Sequence, residues 1–183
     1  MTALNLVSLS ASPHEPSKTT ALLDAIVQEL AIHLEFSERR VLMSEIGAEL
    51  GCALSRKGVG ENAARALEAV ENADLIVVST PTYRAAYPGL FKHFFDFVPQ
   101  DALTGTPVFL SAIGGNISHS LTIDHQLRPL FSFFQAIALP TGVFAENADF
   151  DGYTAREGLL STISHAVGQS LHIINATTEK AIP

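Results

Sequence analysis

The chain has 183 residues, of which 47% are hydrophobic and 16% charged, so we expect one folded domain spanning 1–183 and no extended disorder. The net charge of -8 at pH 7 argues against a nucleic-acid-binding surface. No apolar run approaches the length of a membrane span and no signal-like segment precedes the first strand, so we expect a cytoplasmic protein that binds no membrane. A single cysteine, Cys52, excludes a disulfide framework within one chain.

The first third of the chain predicts two strands joined by a helix. The apolar run at 4–10 predicts a strand, and apolar residues at helical spacing predict a helix from about Ser17 onward. A weaker strand signal lies between Leu34 and Leu42. The following segment, 47–60, is interpreted as an irregular connection, because no clear period runs through it.

The middle of the chain carries stronger signals. A helix near 62–72 leads into a β-rich apolar strand at 74–80, and a second helix starts at Pro88, a residue that suits the first helical position. The run at 107–113 predicts the fourth strand. One long helix is predicted from about Ser118 to Ala136.

The last third predicts a strand and a helix that complete the pattern. The strand at 138–144 contains Pro140 and is expected to be irregular, and the final helix spans roughly 155–176 with Leu159, Leu160 and Ile163 among its inward residues. Five strands alternating with helices predict an α/β three-layer sandwich around a parallel sheet. The flavodoxin-like strand order 2-1-3-4-5 fits this length.

The turn between the first strand and the first helix is rich in hydroxyl groups. Such a turn directs free backbone N–H groups and the positive end of the helix dipole toward one point. Lys18 or His14 could add positive charge. The plainer alternative is that Ser17 only caps the helix. The hydroxyl density favours a phosphate site formed by Ser12, Ser17, Thr19 and Thr20.

A second candidate follows the third strand, at Pro81, Thr82, Tyr83 and Arg84. A buried strand that breaks at a proline and turns into a helix builds a ligand site at the carboxyl edge of a parallel sheet. Tyr83 could stack on a flat ligand or point into the core, and Arg84 could neutralise a phosphate or form a surface ion pair. Together they favour a planar, anionic ligand.

The third candidate is the glycine-rich turn Gly114, Gly115 and Asn116 after the fourth strand. Loops after the first, third and fourth strands converge in this fold, so the three candidates are expected to form one pocket. The histidines show no convincing metal spacing, and no nucleophile elbow supports a catalytic triad. The G-x-G-x-x-A match at 58–63 lacks a preceding strand and is interpreted as a helix start.

These loops resemble the NAD(P)H-dependent FMN reductase family, and in particular the small FMN reductases of two-component alkanesulfonate and methanesulfonate monooxygenase systems. The similarity covers nearly the whole chain, and its most specific match is Thr80 to Lys92. Three further matches are Ser12-Pro13 with Pro16-Ser17, Gly114-Gly115 with His119 and Asp124 to Leu130, and Gly142 to Ala145. The chain departs from the family at His14 and Glu15, where relatives usually carry an arginine. Lys18 or the helix dipole is then expected to compensate more of the phosphate charge.

The resemblance implies that FMN is bound by the three loops and reduced by NAD(P)H, with no catalytic side-chain acid or base. It also implies that reduced FMN leaves to feed a separate flavin-dependent monooxygenase in sulfonate or sulfone metabolism. Relatives assemble as homodimers or homotetramers through helices beside the flavin, and some carry a π-bulge in the helix after the third loop. We expect His125 to lie in such a segment, near a subunit contact, although a plain helix-face position is an equal alternative.

Two other functions remain open from the sequence. One is a flavin-retaining NAD(P)H reductase of quinones or azo dyes, whose loops would look much the same. The other is a flavodoxin-type electron carrier, although such carriers usually enclose the flavin between aromatic rings and this chain has no tryptophan and three tyrosines.

Overall fold

Strands and helices alternate along the chain, as the periodicities predict. The computed structural model describes residues 4–178. The strands are β1 (Leu4–Ser10), β2 (Phe36–Leu42), β3 (Leu75–Pro81), β4 (Pro107–Gly114), β5 (Ile137–Ala138), β6 (Val143–Glu146), β7 (Phe150–Asp151) and β8 (Thr154–Ala155). The α-helices are α1 (Lys18–His33), α2 (Met43–Gly51), α3 (Glu61–Glu71), α4 (Gly89–Phe95), α5 (Arg128–Phe133) and α6 (Glu157–Thr178).

The main sheet is parallel and has the order β2-β1-β3-β4-β5, which confirms the flavodoxin-like prediction. The fifth position is shared by two short strands, because β6 also pairs with β4, from Ser111 opposite Val143 to Gly114 opposite Glu146. Pro140 lies between the two strands, and a proline cannot donate to a strand ladder. The predicted irregularity of this strand is therefore confirmed.

Two apolar layers sandwich the sheet, because successive side chains of each strand point to opposite faces. On β3, Ile76 and Val78 pack on one face with α2, α3, α4 and α5. Leu75 and Val77 pack on the other face with α1 and α6. β3 and β4 are buried along their whole length, which is typical of central strands in a parallel sheet.

The prediction of one continuous helix from Ser118 to Ala136 is wrong. A 3₁₀ turn at Ile117–His119 comes first, a π-helical segment follows at Ile123–Leu127, and only Arg128–Phe133 is α-helical. Pro129 lacks the N–H that a regular helix would need at this point. The expectation that His125 lies in a π-helical segment is confirmed.

Smaller differences come from local packing. Residues 43–51 form α2, so the start of the predicted irregular connection is helical, with Ile46 and Leu50 buried. Leu160 is 46% exposed and lines a surface groove, so its predicted inward position is wrong. The hairpin β7–β8 was not predicted. Gly60 caps α3 and is preceded by a 3₁₀ turn, which agrees with the helix-start interpretation of the 58–63 segment.

Within residues 4–178, none of the helices combines the length and the apolar character needed to cross a membrane.

Candidate functional site

A cavity of about 630 Å³ opens at the carboxyl edge of the sheet. Loops after β1, β3 and β4 form most of its wall, and the hairpin β7–β8 closes one side. Its lining residues are Ser12, His14, Pro16, Ser17, Lys18, Thr19, Pro81, Thr82, Tyr83, Ile113, Gly114, Gly115, Asn147, Gly152 and Tyr153. The volume lies within the range of cavities that hold small ligands and cofactors.

Most of the predicted site residues meet in this cavity: Ser12, Ser17, Thr19, Pro81, Thr82, Tyr83, Gly114 and Gly115. Three do not line it. Thr20 is buried behind the loop, and Arg84 is exposed on a turn outside the wall. Asn116 caps the 3₁₀ turn by accepting a hydrogen bond from the Ser118 N–H at 3.0 Å.

Two hydroxyls of the first loop already form hydrogen bonds within the protein, which the sequence did not indicate. Ser12 donates to the carbonyl of His14 at 2.7 Å, and Ser17 accepts from the N–H of Thr20 at 3.1 Å as the cap of α1. The backbone N–H groups of Lys18 and Thr19 lie in the first turn and have no partner inside the helix. These two N–H groups, together with the helix dipole, can hold an anion.

The charges on the cavity wall favour an anion despite the acidic chain. Lys18 and His14 line the cavity, and no Asp or Glu is among its described lining residues. The Lys18 ammonium donates to the carbonyl of Asn147 at 2.9 Å and lies 5.8 Å from the centre of the Phe150 ring. Lys18 thereby ties α1 to the segment after β6 while keeping a positive charge beside the cavity.

Two tyrosines line this cavity, Tyr83 from the loop after β3 and Tyr153 from the β7–β8 hairpin. Tyr83 is 46% exposed and Tyr153 is 53% exposed, so neither ring belongs to the core. Tyr153 was missed by the sequence reasoning. It sits in the two-residue turn of the β7–β8 hairpin, where Gly152 has a φ of 58°. Gly152 was the available signal, since glycine is common at the first position of a two-residue hairpin turn.

The turn after β3 holds two non-glycine residues in left-handed backbone. Arg84 has a φ of 51° and Ala85 a φ of 68°, and the backbones of Tyr83 and Ala86 exchange hydrogen bonds of 2.7 and 3.1 Å across them. Such a conformation costs roughly 1–2 kcal/mol per residue. Within residues 4–178, Arg84 forms no ion pair. The sequence alternative of a surface pair for Arg84 therefore finds no support.

The third loop leaves room for a ligand against its backbone. A Cβ built on Gly115 would meet no protein atom within 4 Å, whereas one on Gly114 would lie 2.8 Å from the Cβ of His119 and 2.9 Å from the Phe144 ring. Gly114 therefore allows close packing behind the loop, and Gly115 keeps the cavity side open. Backbone amides, aromatic rings and a helix N-terminus suit a flat molecule that carries a phosphate.

This fold defines a flavodoxin-like protein, and its cavity lies at the carboxyl edge of the sheet, where proteins of this fold bind ligands. The family model described as NADPH-dependent FMN reductase matches residues 4–151. The chain belongs to this family, as the resemblance predicted, and it is an oxidoreductase enzyme.

Known proteins similar to the chain agree with this assignment. It is 49% identical over 160 residues to the NADH-dependent FMN reductase SfnE of Pseudomonas putida, covering 87% of this chain and 86% of that protein. It is 47% identical over 148 residues to FMN reductase (NADPH) of Pseudomonas aeruginosa, covering 81% and 80%. A solved oxidoreductase from Corynebacterium diphtheriae superimposes with a TM-score of 0.82 and 31% identity, covering 96% and 99%.

Proposed function

We propose that this protein is an NAD(P)H:FMN oxidoreductase in which the cavity of about 630 Å³ binds FMN. The observation that carries the proposal is the meeting of the three loops after β1, β3 and β4 around one cavity. When bound, FMN supplies the redox chemistry by accepting a hydride from the nicotinamide at ring atom N5. The chain's own residues then bind, orient and partly shield it.

Each wall of the cavity has a proposed task. The N–H groups of Lys18 and Thr19 hold the phosphate with the help of the Lys18 ammonium, and Ser12 and Ser17 shape the loop around it. Pro81, Thr82 and Tyr83 hold one edge of the flavin ring, and the backbone at Gly114 and Gly115 holds the other. Thr20, Arg84 and Asn116 lie beside rather than in the cavity wall, so their proposed part is to support the three loops.

The open rim of the cavity supports transfer of reduced flavin to another protein. Tyr83 and Tyr153 line the cavity and are each about half exposed, so a flavin held there would be reachable by a nicotinamide and could leave after reduction. We propose that the acceptor is a flavin-dependent monooxygenase of sulfonate or sulfone metabolism. The site of action is the cytoplasm, where NAD(P)H is available.

We further propose that the chain acts as a single FMN-binding domain that assembles into a homodimer or homotetramer. A second cavity of about 590 Å³ lies between α4 and the π-helical segment with α5. Its lining includes Tyr87, His125, Pro129 and Phe133, and the Phe133 ring is 59% exposed. An exposed aromatic ring beside a groove of mixed apolar and polar lining favours contact with another copy of the chain.

The proposed activity is tested by mixing the purified protein with FMN and either NADH or NADPH and following the loss of nicotinamide absorbance. We expect turnover with at least one nucleotide and separation of flavin from protein on gel filtration. Absence of turnover with both nucleotides would contradict the proposal. Retention of flavin with ping-pong transfer to a quinone would instead favour the quinone or azo reductase alternative.

A further inference from the structure

Glu15 places a carboxylate at the N-terminus of α1, beside the loop proposed to hold the flavin phosphate. Its Oε1 accepts a hydrogen bond from the Thr20 hydroxyl and a longer one, 3.4 Å, from the Ser17 hydroxyl. The residue is exposed, so burial does not force it into this position. A helix N-terminus favours negative charge, and here a side chain of the protein supplies that charge.

The hydrogen bonds of Glu15 use a hydroxyl proton that a ligand could otherwise accept. A hydroxyl has one proton to donate, and Thr20 donates it to Glu15. Thr20 is 6% exposed, and its oxygen also lies 2.8 Å from the Ser10 hydroxyl and 3.0 Å from the Ser17 hydroxyl. The Thr20 proton therefore serves Glu15 and is not offered to a phosphate in the cavity.

Within residues 4–178, Glu15 forms no ion pair. Glu15 and Asp24 line a groove of about 470 Å³ that shares Pro16, Ser17 and Tyr153 with the flavin cavity. Arg40, on β2, is engaged by Asp24 at 2.5 Å. The pKa of Asp24 is raised, first by burial and in smaller part by Glu38 and Glu15, while Arg40 acts in the opposite direction.

We propose that Glu15 is a specificity-determining residue, whose carboxylate competes with the flavin phosphate for the N-terminus of α1 and weakens FMN binding relative to riboflavin. This inference rests on the proposed function. A phosphate monoester carries a charge of about -1.5 to -2 near pH 7, so it is repelled by the carboxylate, whereas uncharged riboflavin is not. The weakened phosphate contact assists release of the reduced flavin.

The test is to titrate oxidised FMN and riboflavin by flavin fluorescence into the wild type, Glu15→Gln and a control, Glu68→Gln. Glu68 is an exposed carboxylate on α3, on the other side of the sheet from α1, so its loss changes the net charge equally. In Glu15→Gln we expect FMN to bind about five- to tenfold more tightly and riboflavin to change by less than about twofold. Glu68→Gln should bind both flavins as the wild type does.

Salt concentration separates charge from loop shape. Because mobile ions screen exposed charges, the gain in FMN affinity should shrink as NaCl rises from about 20 mM to about 500 mM. Equal tightening of both flavins would overturn the inference, because it would mean that Glu15 acts through loop shape. Weaker FMN binding in Glu15→Gln would also overturn it. If the wild type binds neither flavin, the proposed function itself fails.

Discussion

Ser17 connects the stability of the chain with the candidate site through one hydroxyl. Its oxygen accepts from the Thr20 N–H at 3.1 Å and so caps α1, and the residue also lines the cavity. The first turn of α1 contains no acidic residue, and the carboxylate at this end belongs to Glu15, which precedes the helix. The effects of a cap and of a negative charge can therefore be separated at this position.

We expect Ser17→Ala to lower the free energy of unfolding by about 1 kcal/mol, because the cap is lost. Ser17→Asp should keep a capping oxygen and most of the stability, but it should weaken FMN binding more than Ser17→Ala does, since it adds a negative charge where the phosphate is proposed. Urea unfolding measures the first effect and flavin titration the second. Equal FMN affinities for the two variants would argue against a phosphate site here.

At the scale of elements, the end of β4 offers two adjacent glycines in different surroundings. Gly114 faces the packed side, against His119 and Phe144, and Gly115 faces open space. A methyl group on Gly114 has to displace its neighbours, which typically costs about 1–3 kcal/mol. The Nδ1 of His119 is buried and has no hydrogen-bond partner in the described residues, so the packed side of the loop already holds an unsatisfied polar atom.

We therefore expect Gly114→Ala to lower the thermal midpoint clearly, while Gly115→Ala stays within about 0.5 kcal/mol of the wild type in stability. Gly115→Ala should still bind FMN more weakly, because the new methyl group enters the region where we propose the flavin ring. Thermal unfolding and flavin titration of the two variants check both statements. Similar stabilities for the two variants would contradict the packing argument.

A second element-scale feature joins α2 to α3. The Glu49 carboxylate on α2 accepts from the Asn62 side chain at 2.6 Å and from the N–H groups of Asn62 and Ala63 at 3.0 and 3.2 Å. These bonds, the one from the Asn62 side chain first and that from Ala63 next, lower the pKa of Glu49 below its ordinary value of 4.5. The close approach of this carboxylate also explains why position 60 is a glycine.

A lowered pKa means that the unfolded chain takes up the proton first, so this contribution to stability is present above pH 4.5 and is lost as the pH falls through the folded-state pKa. We expect Glu49→Gln to be less stable than the wild type near neutral pH and to match it in acid. Urea unfolding at several pH values checks this. A stability difference that does not depend on pH would rule out the carboxylate as its cause.

At the scale of the whole molecule, we propose that assembly uses the groove between α4 and α5, where Phe133 is exposed. We expect the wild type to have a mass in light scattering of at least twice the 19.6 kDa of one chain. Phe133→Asp should shift it toward the single-chain mass, because a charge is buried poorly in an apolar contact. Leu54→Asp is the control, since Leu54 is 97% exposed in a loop elsewhere. An unchanged mass for Phe133→Asp would place the contact on another surface.

The amino-acid sequence was sufficient to predict the strand order of the main sheet, the alternation of most strands with helices, and the sheet edge at which three loops form one cavity. The spacing of apolar residues and the positions of proline and glycine are local signals of strands, helices and turns. A parallel sheet brings the carboxyl ends of its strands to one edge, whatever the sequences of the loops. The family resemblance followed from the same loops. These features depend on neighbours along the chain.

Other features depend on contacts between residues that are distant in the chain, or on which of several neighbouring groups forms a given hydrogen bond. The arrival of Tyr153 at the cavity and the exposure of Leu160 reflect packing that periodicity does not encode. The interruption of the 118–136 helix coincides with Pro129, which apolar periodicity alone does not take into account. Thr20 was predicted to contact the phosphate, but its hydroxyl donates its one proton to Glu15. Glu15 lies in the same loop, two residues before the helix cap Ser17. Only the tertiary structure decides which of several hydroxyls faces the ligand, because each can bond either to the chain or to the cavity.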